Sequence, residues 1–292
     1  MIPAKDKYQL RNWELVSVNP NKRDWYWVDF FNFWAVSIQS IIGFSLIASL
    51  YLLYDLNSII VLAGTIFAGL IVYVFTNIIG KISQSSGLSF PVILRISFGF
   101  NGARYFGMLR GLIGIFMFGV QTFFISKSLG YIFRIIIYKI DPQLINHEFF
   151  LMFFFGLNAI DWSALIITLI LQLILFTQSP SFNKSFIKFS SVFTYIGLVV
   201  FLIIILSEHY NELVSSLKLS TNINNVISKN NIYPFISITG TMFAYFSILL
   251  VNYGDFARYA KNNGEMKKGN LSLLLNINIV SFFALSVCLG SD

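Results

Sequence analysis

Residues 30–54 read FFNFWAVSIQSIIGFSLIASLYLLY and contain no charged side chain. An apolar run of about 20 residues is what a helix needs to cross the hydrocarbon core of a bilayer. Polar residues interrupt this run near its middle, at Ser37, Gln39 and Ser40, and Gly43 follows one turn later. A glutamine at bilayer depth needs a hydrogen-bonding partner or a water-lined cavity. The stretch therefore predicts a transmembrane helix that forms one wall of a binding site.

The composition of the whole chain is that of a membrane protein. Of its 292 residues, 56% are hydrophobic and only 11% are charged, whereas soluble domains carry about 25% charged residues. The single cysteine excludes a disulfide framework within the chain and a cysteine-based metal cluster. The net charge of +7 is not gathered into the basic face that nucleic-acid binding needs. We therefore expect an all-α polytopic membrane protein whose surroundings are the lipid bilayer, with no nucleic-acid partner.

Hydropathy divides the chain into a polar tail, residues 1–29, and a transmembrane domain, residues 30–292. The tail carries charges of both signs and resembles a cytoplasmic segment rather than a cleavable leader. Residues 81–104 form a predicted polar connection, interrupted by Pro91, and residues 149–160 are apolar but too short to cross the bilayer. We expect the latter at the interface or packed on the bundle. The seven predicted spans are about 30–54, 58–80, 105–133, 162–178, 189–207, 232–254 and 271–290.

The distribution of positive charge predicts the orientation of these spans. Fifteen of the twenty Lys and Arg residues fall on the same side as the tail, four fall on the opposite side, and Lys127 lies within the third span. Cytoplasmic loops carry such an excess of positive charge. We therefore expect a protein integral to the cytoplasmic (plasma or inner) membrane, with its N-terminus in the cytoplasm.

The sequence contains no constellation typical of an enzyme. His147 and His209 fall in predicted outside loops without a metal-ligating companion at helical spacing. Glycine-rich phosphate loops and nucleophile elbows are absent from the sequence. Asp29, Asp161 and Asp255 lie at the borders of spans, where helix capping and solvation at the interface are their expected roles. We therefore expect a protein that is not an enzyme and carries no cofactor.

Two amides within spans indicate a pocket. Gln39 lies in the first span and Gln121 in the third. Each alone could serve only to hydrogen-bond a neighbouring helix. An amide offers donors and acceptors together, and aromatic faces can sandwich a planar ring, so the two glutamines predict a pocket for a flat, neutral, amide-bearing ligand. The aromatic residues expected around them are Phe116, Phe118, Phe123, Phe243, Tyr245 and Phe246.

Four motifs occur in order along the chain. They are Asn12-Trp13-Glu14-Leu15 with Lys22-Arg23-Asp24-Trp25 and Phe33-Trp34 at the start of the first span, Phe90-Pro91-Val92 with Arg95 and Ser97-Phe98-Gly99 in the connection, Phe118-Gly119-Val120-Gln121-Thr122 in the third span, and Asn252-Tyr253-Gly254-Asp255-Phe256-Ala257-Arg258-Tyr259 after the sixth. Together they resemble the nucleobase–cation symporter-1 family, which transports nucleobases, ureides, hydantoins and related vitamins.

The resemblance implies a leucine-transporter-type fold, with two inverted repeats of five helices plus two more. It implies that Ala35 and Ile38 present backbone carbonyls to Na⁺ where the first span is unwound, and that Gln39 and Gln121 hydrogen-bond the substrate. Irregular backbone is tolerated at this depth only where it lines a cavity or is buried in protein. The substrate-contacting positions that the resemblance implies are Gln39, Met117, Gln121, Tyr245 and Phe246.

The chain departs from the family pattern in three respects. Met117 and Phe246 stand where the family has tryptophan, so a planar substrate would meet a thioether and a smaller ring. The family has about twelve spans and this chain covers about seven. We therefore expect a truncated chain, comprising the first repeat and the start of the second, and we do not expect its 292 residues alone to transport.

The expected function is cation-coupled symport of a nucleobase or a related planar N-heterocycle or ureide. Na⁺ is favoured over H⁺ as the coupling ion because no carboxylate or histidine falls at mid-depth in the predicted spans. Which nucleobase, hydantoin, allantoin or thiamine-like molecule is carried does not follow from these residues. The alternative is a seven-helix membrane receptor or binding module without transport, although the predicted cytoplasmic N-terminus argues against the usual receptor orientation.

Overall fold

The fold was analysed in a computed structural model, which describes residues 15–53, 58–146, 152–211 and 232–289. Several predicted features therefore lie outside the described residues. They are the motif residues 12–14, the end of the first span at residue 54, residues 149–151 of the short apolar run, most of the loop before the sixth span, and residue 290 of the seventh span.

Helices dominate the part of the chain that is described. The helices are α1 (Trp27–Ile38), α2 (Ile41–Leu53), α3 (Ser58–Ser86), α4 (Phe90–Ile140), α5 (Ala159–Phe176), α6 (Pro180–Glu208), α7 (Ile232–Ala257) and α8 (Asn263–Leu289). A two-stranded antiparallel hairpin, β1 (Phe153–Phe154) and β2 (Leu157–Asn158), precedes α5. Within these residues six helices are long and apolar enough to cross a membrane, and the bent pair α1–α2 makes a seventh if it counts as one span. The protein is an all-α polytopic membrane protein.

The first predicted span is divided into two helices that meet at an angle of 58°. The chain leaves the helical conformation at Gln39 (φ −72°, ψ 90°), and the Gln39 N–H still donates to the Ala35 carbonyl, 3.2 Å away. The hydroxyl of Ser40 then accepts from the N–H of Gly43 at 3.1 Å. Serine is favoured at the start of a helix because its oxygen satisfies an N–H that has no partner in the first turn. The polar residues in the middle of the span therefore end one helix and begin the next.

Most of the predicted polar connection at residues 81–104 is helical. Helix α3 continues to Ser86, and α4 begins at Phe90. Pro91 does not interrupt a helix here, since proline fits the first turn, where its missing N–H leaves no bond unmade. The real break within α4 is at Gly99, whose φ of 68° and ψ of −178° are not helical.

The predicted boundary before the fourth span also differs from the structure. Residues 153–158 form the short hairpin, and α5 begins at Ala159, three residues before the predicted start. The side chain of Asn158 accepts from the N–H of Asp161 at 2.9 Å and so caps the helix. Part of the short apolar run thus belongs to the fourth membrane helix.

The described chain forms two compact units. The first contains residues 1–99 and 184–292, and the second contains residues 100–183. In the first unit α7 packs along α3, and both α1 and α3 pack against α8. Large side chains fill the space between them, with the rings of Trp34 and Tyr253 stacked 5.2 Å apart. This bundle holds the α1–α2 break against α7 and α8.

Backbone pairing fixes the start of α1 in the first unit. Trp25 and Ala260 form an isolated parallel bridge, in which the Trp25 N–H donates to the Tyr259 carbonyl at 3.0 Å and the Lys261 N–H donates to the Trp25 carbonyl at 2.9 Å. The carboxylate of Glu265 accepts from the N–H of Trp27 at 3.0 Å. The segment before α1 is therefore tied to the turn between α7 and α8.

An ion-pair cluster joins the two helices of the second unit. The carboxylate of Asp161 on α5 contacts the Lys127 ammonium at 2.8 Å and the Arg134 guanidinium at 2.7 Å, both on α4. Gly130 lies opposite, where an added Cβ would stand 3.0 Å from the Asp161 carboxylate. Asp161 thus does more than solvate the border of a span, because it joins α4 to α5.

Candidate functional site

The break between α1 and α2 gathers polar groups inside the first unit. The Nε2 of Gln39 donates to two oxygens of Asn276 on α8, the backbone carbonyl at 3.2 Å and Oδ1 at 3.3 Å. The other amide atom, Oε1, is shielded from solvent and has no hydrogen-bond partner among the described residues. A buried acceptor without a donor is costly and calls for an explanation. Gln39 therefore holds one unused acceptor beside an unwound backbone.

Two hydroxyl groups meet at the next residue of the break. The Ser40 and Tyr245 oxygens are 2.7 Å apart, and Tyr245 comes from α7. A Cβ added at Gly43 would lie 3.3 Å from both oxygens and 3.5 Å from the Ile38 carbonyl. The absence of a side chain at Gly43 therefore leaves room next to three oxygen atoms. Tyr245, a predicted substrate contact, therefore lies at the break, hydrogen-bonded to Ser40.

Asn276 and Tyr195 complete the cluster, and sequence reasoning missed both. Asn276 is fully buried, and its Oδ1 accepts from the Tyr195 hydroxyl of α6 at 2.8 Å. Asn276 lies in the apolar run LSLLLNINIVSFF, so the criterion that identified Gln39, an amide within a span, identifies it too. Tyr195 has no such signal, because it is one of 14 tyrosines.

The other predicted substrate contacts have different surroundings. Phe246 is only 1% exposed and packs in the core of the first unit, with its ring 5.3 Å from that of Tyr245. Met117 is half-buried and Gln121 is exposed, and both belong to the second unit. A pocket shared by Gln39 and Gln121 stays a prediction, as do the roles of Met117 and Phe246.

The two predicted Na⁺ ligands lie in the last turn of α1. Ala35 and Ile38 are buried. The carbonyls of a final helical turn lack partners within their own helix, and here the Ala35 carbonyl accepts one bond, from the Gln39 N–H. A carbonyl oxygen has two lone pairs, so this bond leaves Ala35 with capacity for another contact.

Two of the sequence motifs meet in the first unit. Asp255 accepts a hydrogen bond through Oδ1 from the N–H of Phe90, 2.9 Å away, and so caps the start of α4. The Arg23 guanidinium donates to the Gln84 carbonyl near the end of α3. Asp255 and Arg23 therefore connect segments that are far apart in the sequence, away from the α1–α2 break.

Comparison with known proteins agrees with these features. The family described as permeases for cytosine and purines, uracil, thiamine and allantoin matches residues 17–291. A purine-uracil permease of Arabidopsis thaliana is 24% identical over 280 residues, which are 95% of this chain and 45% of that protein. An allantoin permease of Bacillus subtilis is 34% identical over 122 residues, 42% of this chain and 25% of that protein.

A putative allantoin permease of Escherichia coli is 25% identical over 111 residues, 38% of this chain and 23% of that protein. No solved structure matches the chain. The matched part of the chain spans less than half the length of each of these relatives. The match to the family nevertheless covers almost every residue, from the segment before α1 to the end of α8. The chain belongs to the family of permeases for cytosine and purines, uracil, thiamine and allantoin.

Proposed function

We propose that this chain carries the substrate-contacting break of a secondary transporter that moves a planar N-heterocycle or ureide together with a cation. The observation that carries the proposal is the interruption of the first span at Gln39, where the amide oxygen has no hydrogen-bond partner among the described residues and the next residue, Ser40, pairs with the Tyr245 hydroxyl. The relatives are permeases named for purines and uracil or for allantoin. Uracil, allantoin and the oxopurines carry ring or ureide N–H groups next to carbonyls.

The hydrogen-bonding capacity of the break matches such a group. Gln39 offers an acceptor through Oε1. Ser40 and Tyr245 share one hydrogen bond, and Ser40 also accepts from the Gly43 N–H. Each hydroxyl has one hydrogen, so after one of them joins the pair the other is left to donate. The break thus offers one acceptor and one donor, the two kinds of group that a ligand with an N–H and a C=O needs.

The fold proposed for this function is the leucine-transporter type, in which inverted repeats place the substrate near the middle of the membrane. A broken first span supports it, because half-helix ends in such transporters point at substrate and ion. The excess of Lys and Arg on the side of the N-terminal segment supports a cytoplasmic N-terminus in the cytoplasmic membrane.

We propose Na⁺ as the coupling ion, held in part by the Ala35 and Ile38 carbonyls. Oxygen atoms are the ligands that hard cations prefer. The absence of a side chain at Gly43 keeps the space beside the Ile38 carbonyl open, which fits a cation there. When bound, the ion would couple the free energy of its transmembrane gradient to accumulation of the substrate. The chain's own contribution is to end α1 at Ile38, so that no continuing helix uses the Ile38 carbonyl.

Equilibrium binding tests the site without requiring a complete transport cycle. Radiolabelled uracil, hydantoin and allantoin are added to the purified protein in NaCl and in choline chloride. We expect binding of at least one compound, weakened at least 10-fold by choline, and abolished by Gln39→Ala. Gln178→Ala is the matched control, because Gln178 follows α5 and its amide donates to the Ile174 carbonyl in the last turn of that helix. Binding that survives Gln39→Ala would overturn the proposed site. Binding that is equal in NaCl and choline chloride would overturn the proposed role of Na⁺.

A further inference from the structure

We propose that Asn276 and Tyr195 are positioning residues that fix the Gln39 amide with its oxygen toward the ligand, so that the site selects a ligand N–H at that point. This inference rests on the proposed function and adds a specificity to it. It concerns the orientation of one amide, which the chemistry of its partners determines.

The chain of hydrogen bonds starts at a backbone carbonyl of α8. The Nδ2 of Asn276 donates to the Ser272 carbonyl at 2.9 Å. A carbonyl oxygen can only accept, so the nitrogen of the Asn276 amide must face Ser272. The oxygen of that amide, Oδ1, consequently faces the other way.

Tyr195 and Gln39 both meet this oxygen. The Tyr195 hydroxyl lies 2.8 Å from Asn276 Oδ1, and the Gln39 nitrogen lies 3.3 Å from it. The backbone carbonyl of Asn276 lies 3.2 Å from the same Gln39 nitrogen. Both neighbours of the Gln39 amide at this end are acceptors, and two acceptors can be satisfied only by the NH₂ group. A reversed Gln39 would place its oxygen against two others.

The fixed orientation decides what Gln39 can offer to a ligand. With its nitrogen held by Asn276, the atom left is Oε1, which has no partner among the described residues. That oxygen accepts and cannot donate. It is also shielded from solvent in this conformation, so a ligand reaches it only after the side chains around it move. A ligand that presents an N–H there completes the site, whereas one that presents a ring acceptor or a methylated nitrogen leaves the acceptor unpaired.

A second amide in the same unit shows the contrast. Asn270 on α8 donates to Asn77 at 3.0 Å and accepts from Trp34 and Tyr253 at 3.1 and 2.6 Å. The amide groups of that network have partners at both ends. The network at Gln39 is also built from amides and a tyrosine. Its last amide oxygen, Gln39 Oε1, has no hydrogen-bond partner among the described residues.

The test measures binding of uracil and hydantoin together with their 1-methyl and 3-methyl derivatives. In the unaltered protein, we expect methylation of one of the two ring N–H groups to weaken binding at least 10-fold, since an unpaired buried polar group costs roughly that much. In Asn276→Ala, we expect weaker binding of the parent compound and a several-fold smaller ratio between parent and methylated forms. Tyr195→Phe removes a single oxygen. We expect it to weaken binding of the parent compound and to lower the ratio, each by less than Asn276→Ala does.

Two further variants separate positioning from a merely structural role. Asn276→Asp in its neutral form can donate to Ser272 and accept from Gln39 as asparagine does, so we expect it to keep the ratio. Asn278→Ala removes a neighbouring amide that bonds to the Leu274 carbonyl of its own helix, and we expect it to leave the ratio unchanged.

The outcomes separate this inference from the proposed function. If neither parent compound binds, the proposed function fails and this inference fails with it. If a parent compound binds through Gln39 and Asn276→Ala keeps the full methylation ratio, only the orientation by Asn276 is refuted. Equal binding of parent and both methylated forms would likewise refute selection of an N–H. A Na⁺-dependent loss of affinity in Asn276→Ala with an unchanged ratio would assign Oε1 to the cation instead.

Discussion

The indole N–H of Trp34 donates to the Oδ1 of Asn270, 3.1 Å away and 236 positions later in the sequence. The Tyr253 hydroxyl donates to the same oxygen at 2.6 Å. The Asn270 nitrogen donates to Asn77 on α3, whose own nitrogen donates to the Tyr73 carbonyl. This buried network therefore joins α1, α3, α7 and α8 at one amide.

Asn270→Ala should destabilise the first unit. The change leaves the Trp34 and Tyr253 donors without their acceptor in a buried place, and each unsatisfied group costs roughly 1–3 kcal/mol. Thermal unfolding in detergent measures the loss. Asn278→Ala is the control, since it removes the same side chain from a half-buried position on the same helix. Equal melting temperatures for the two variants would contradict the role of the network.

Gly80→Ala should destabilise the contact between α3 and its neighbours. A Cβ there would lie 2.6 Å from the Tyr253 ring and 2.7 Å from the Met266 sulfur. The overlap outweighs the gain of about 1 kcal/mol in helix propensity that alanine brings over glycine. Gly240→Ala on α7 is the control, because an added Cβ there meets nothing within 4 Å among the described residues. We expect a lower melting temperature for Gly80→Ala and an equal or higher one for Gly240→Ala.

Asp161→Asn should loosen the pair α4–α5. It leaves the Lys127 and Arg134 cations without their carboxylate. Losing one partner of a buried pair costs about 3–5 kcal/mol, and we expect roughly 1–3 kcal/mol because the two cations are 31% and 27% exposed. The exposed Asp141, whose Oδ1 accepts from the Gln143 N–H, provides the control Asp141→Asn. Lys127→Met should cost less than Asp161→Asn, since Arg134 still pairs with the carboxylate, and the reverse order would refute this assignment.

Tyr26→Phe should lower the pKa of Lys261. The Lys261 ammonium lies 2.6 Å from the Tyr26 hydroxyl and over its ring, and this hydrogen bond raises the pKa of the lysine above its ordinary value. A raised pKa in the folded state means that the contribution to stability is complete below the ordinary lysine pKa of about 10.4. The contribution disappears as the pH rises through the folded value. NMR titration of the Lys261 side chain in Tyr26→Phe, with Tyr105→Phe as the control, measures the shift.

The family resemblance implied that the first span is unwound, and the local sequence identified the residues near that point, because polar residues and a glycine within an apolar run are visible without a structure. Gln39, Ser40 and Gly43 were identified in this way. The partners of Gln39 depend on which helices lie beside it, and no periodicity within α8 or α6 specifies that Asn276 and Tyr195 meet there. Helix boundaries failed where proline was read as an interruption, since Pro91 is compatible with a first turn.

The bridge between Trp25 and Ala260 has a mechanical consequence. Two backbone hydrogen bonds at Trp25 and the bond from the Trp27 N–H to the Glu265 carboxylate lock the start of α1 to the corner between α7 and α8, so any tilt of α1 carries that corner with it. The far end of α1 is joined to α2 by the torsion angles of Gln39 and Ser40 alone. Strain applied to either half of the first span therefore concentrates at these two residues, so that the Gln39 amide, which we propose meets the solute, also lies at the pivot between the two halves.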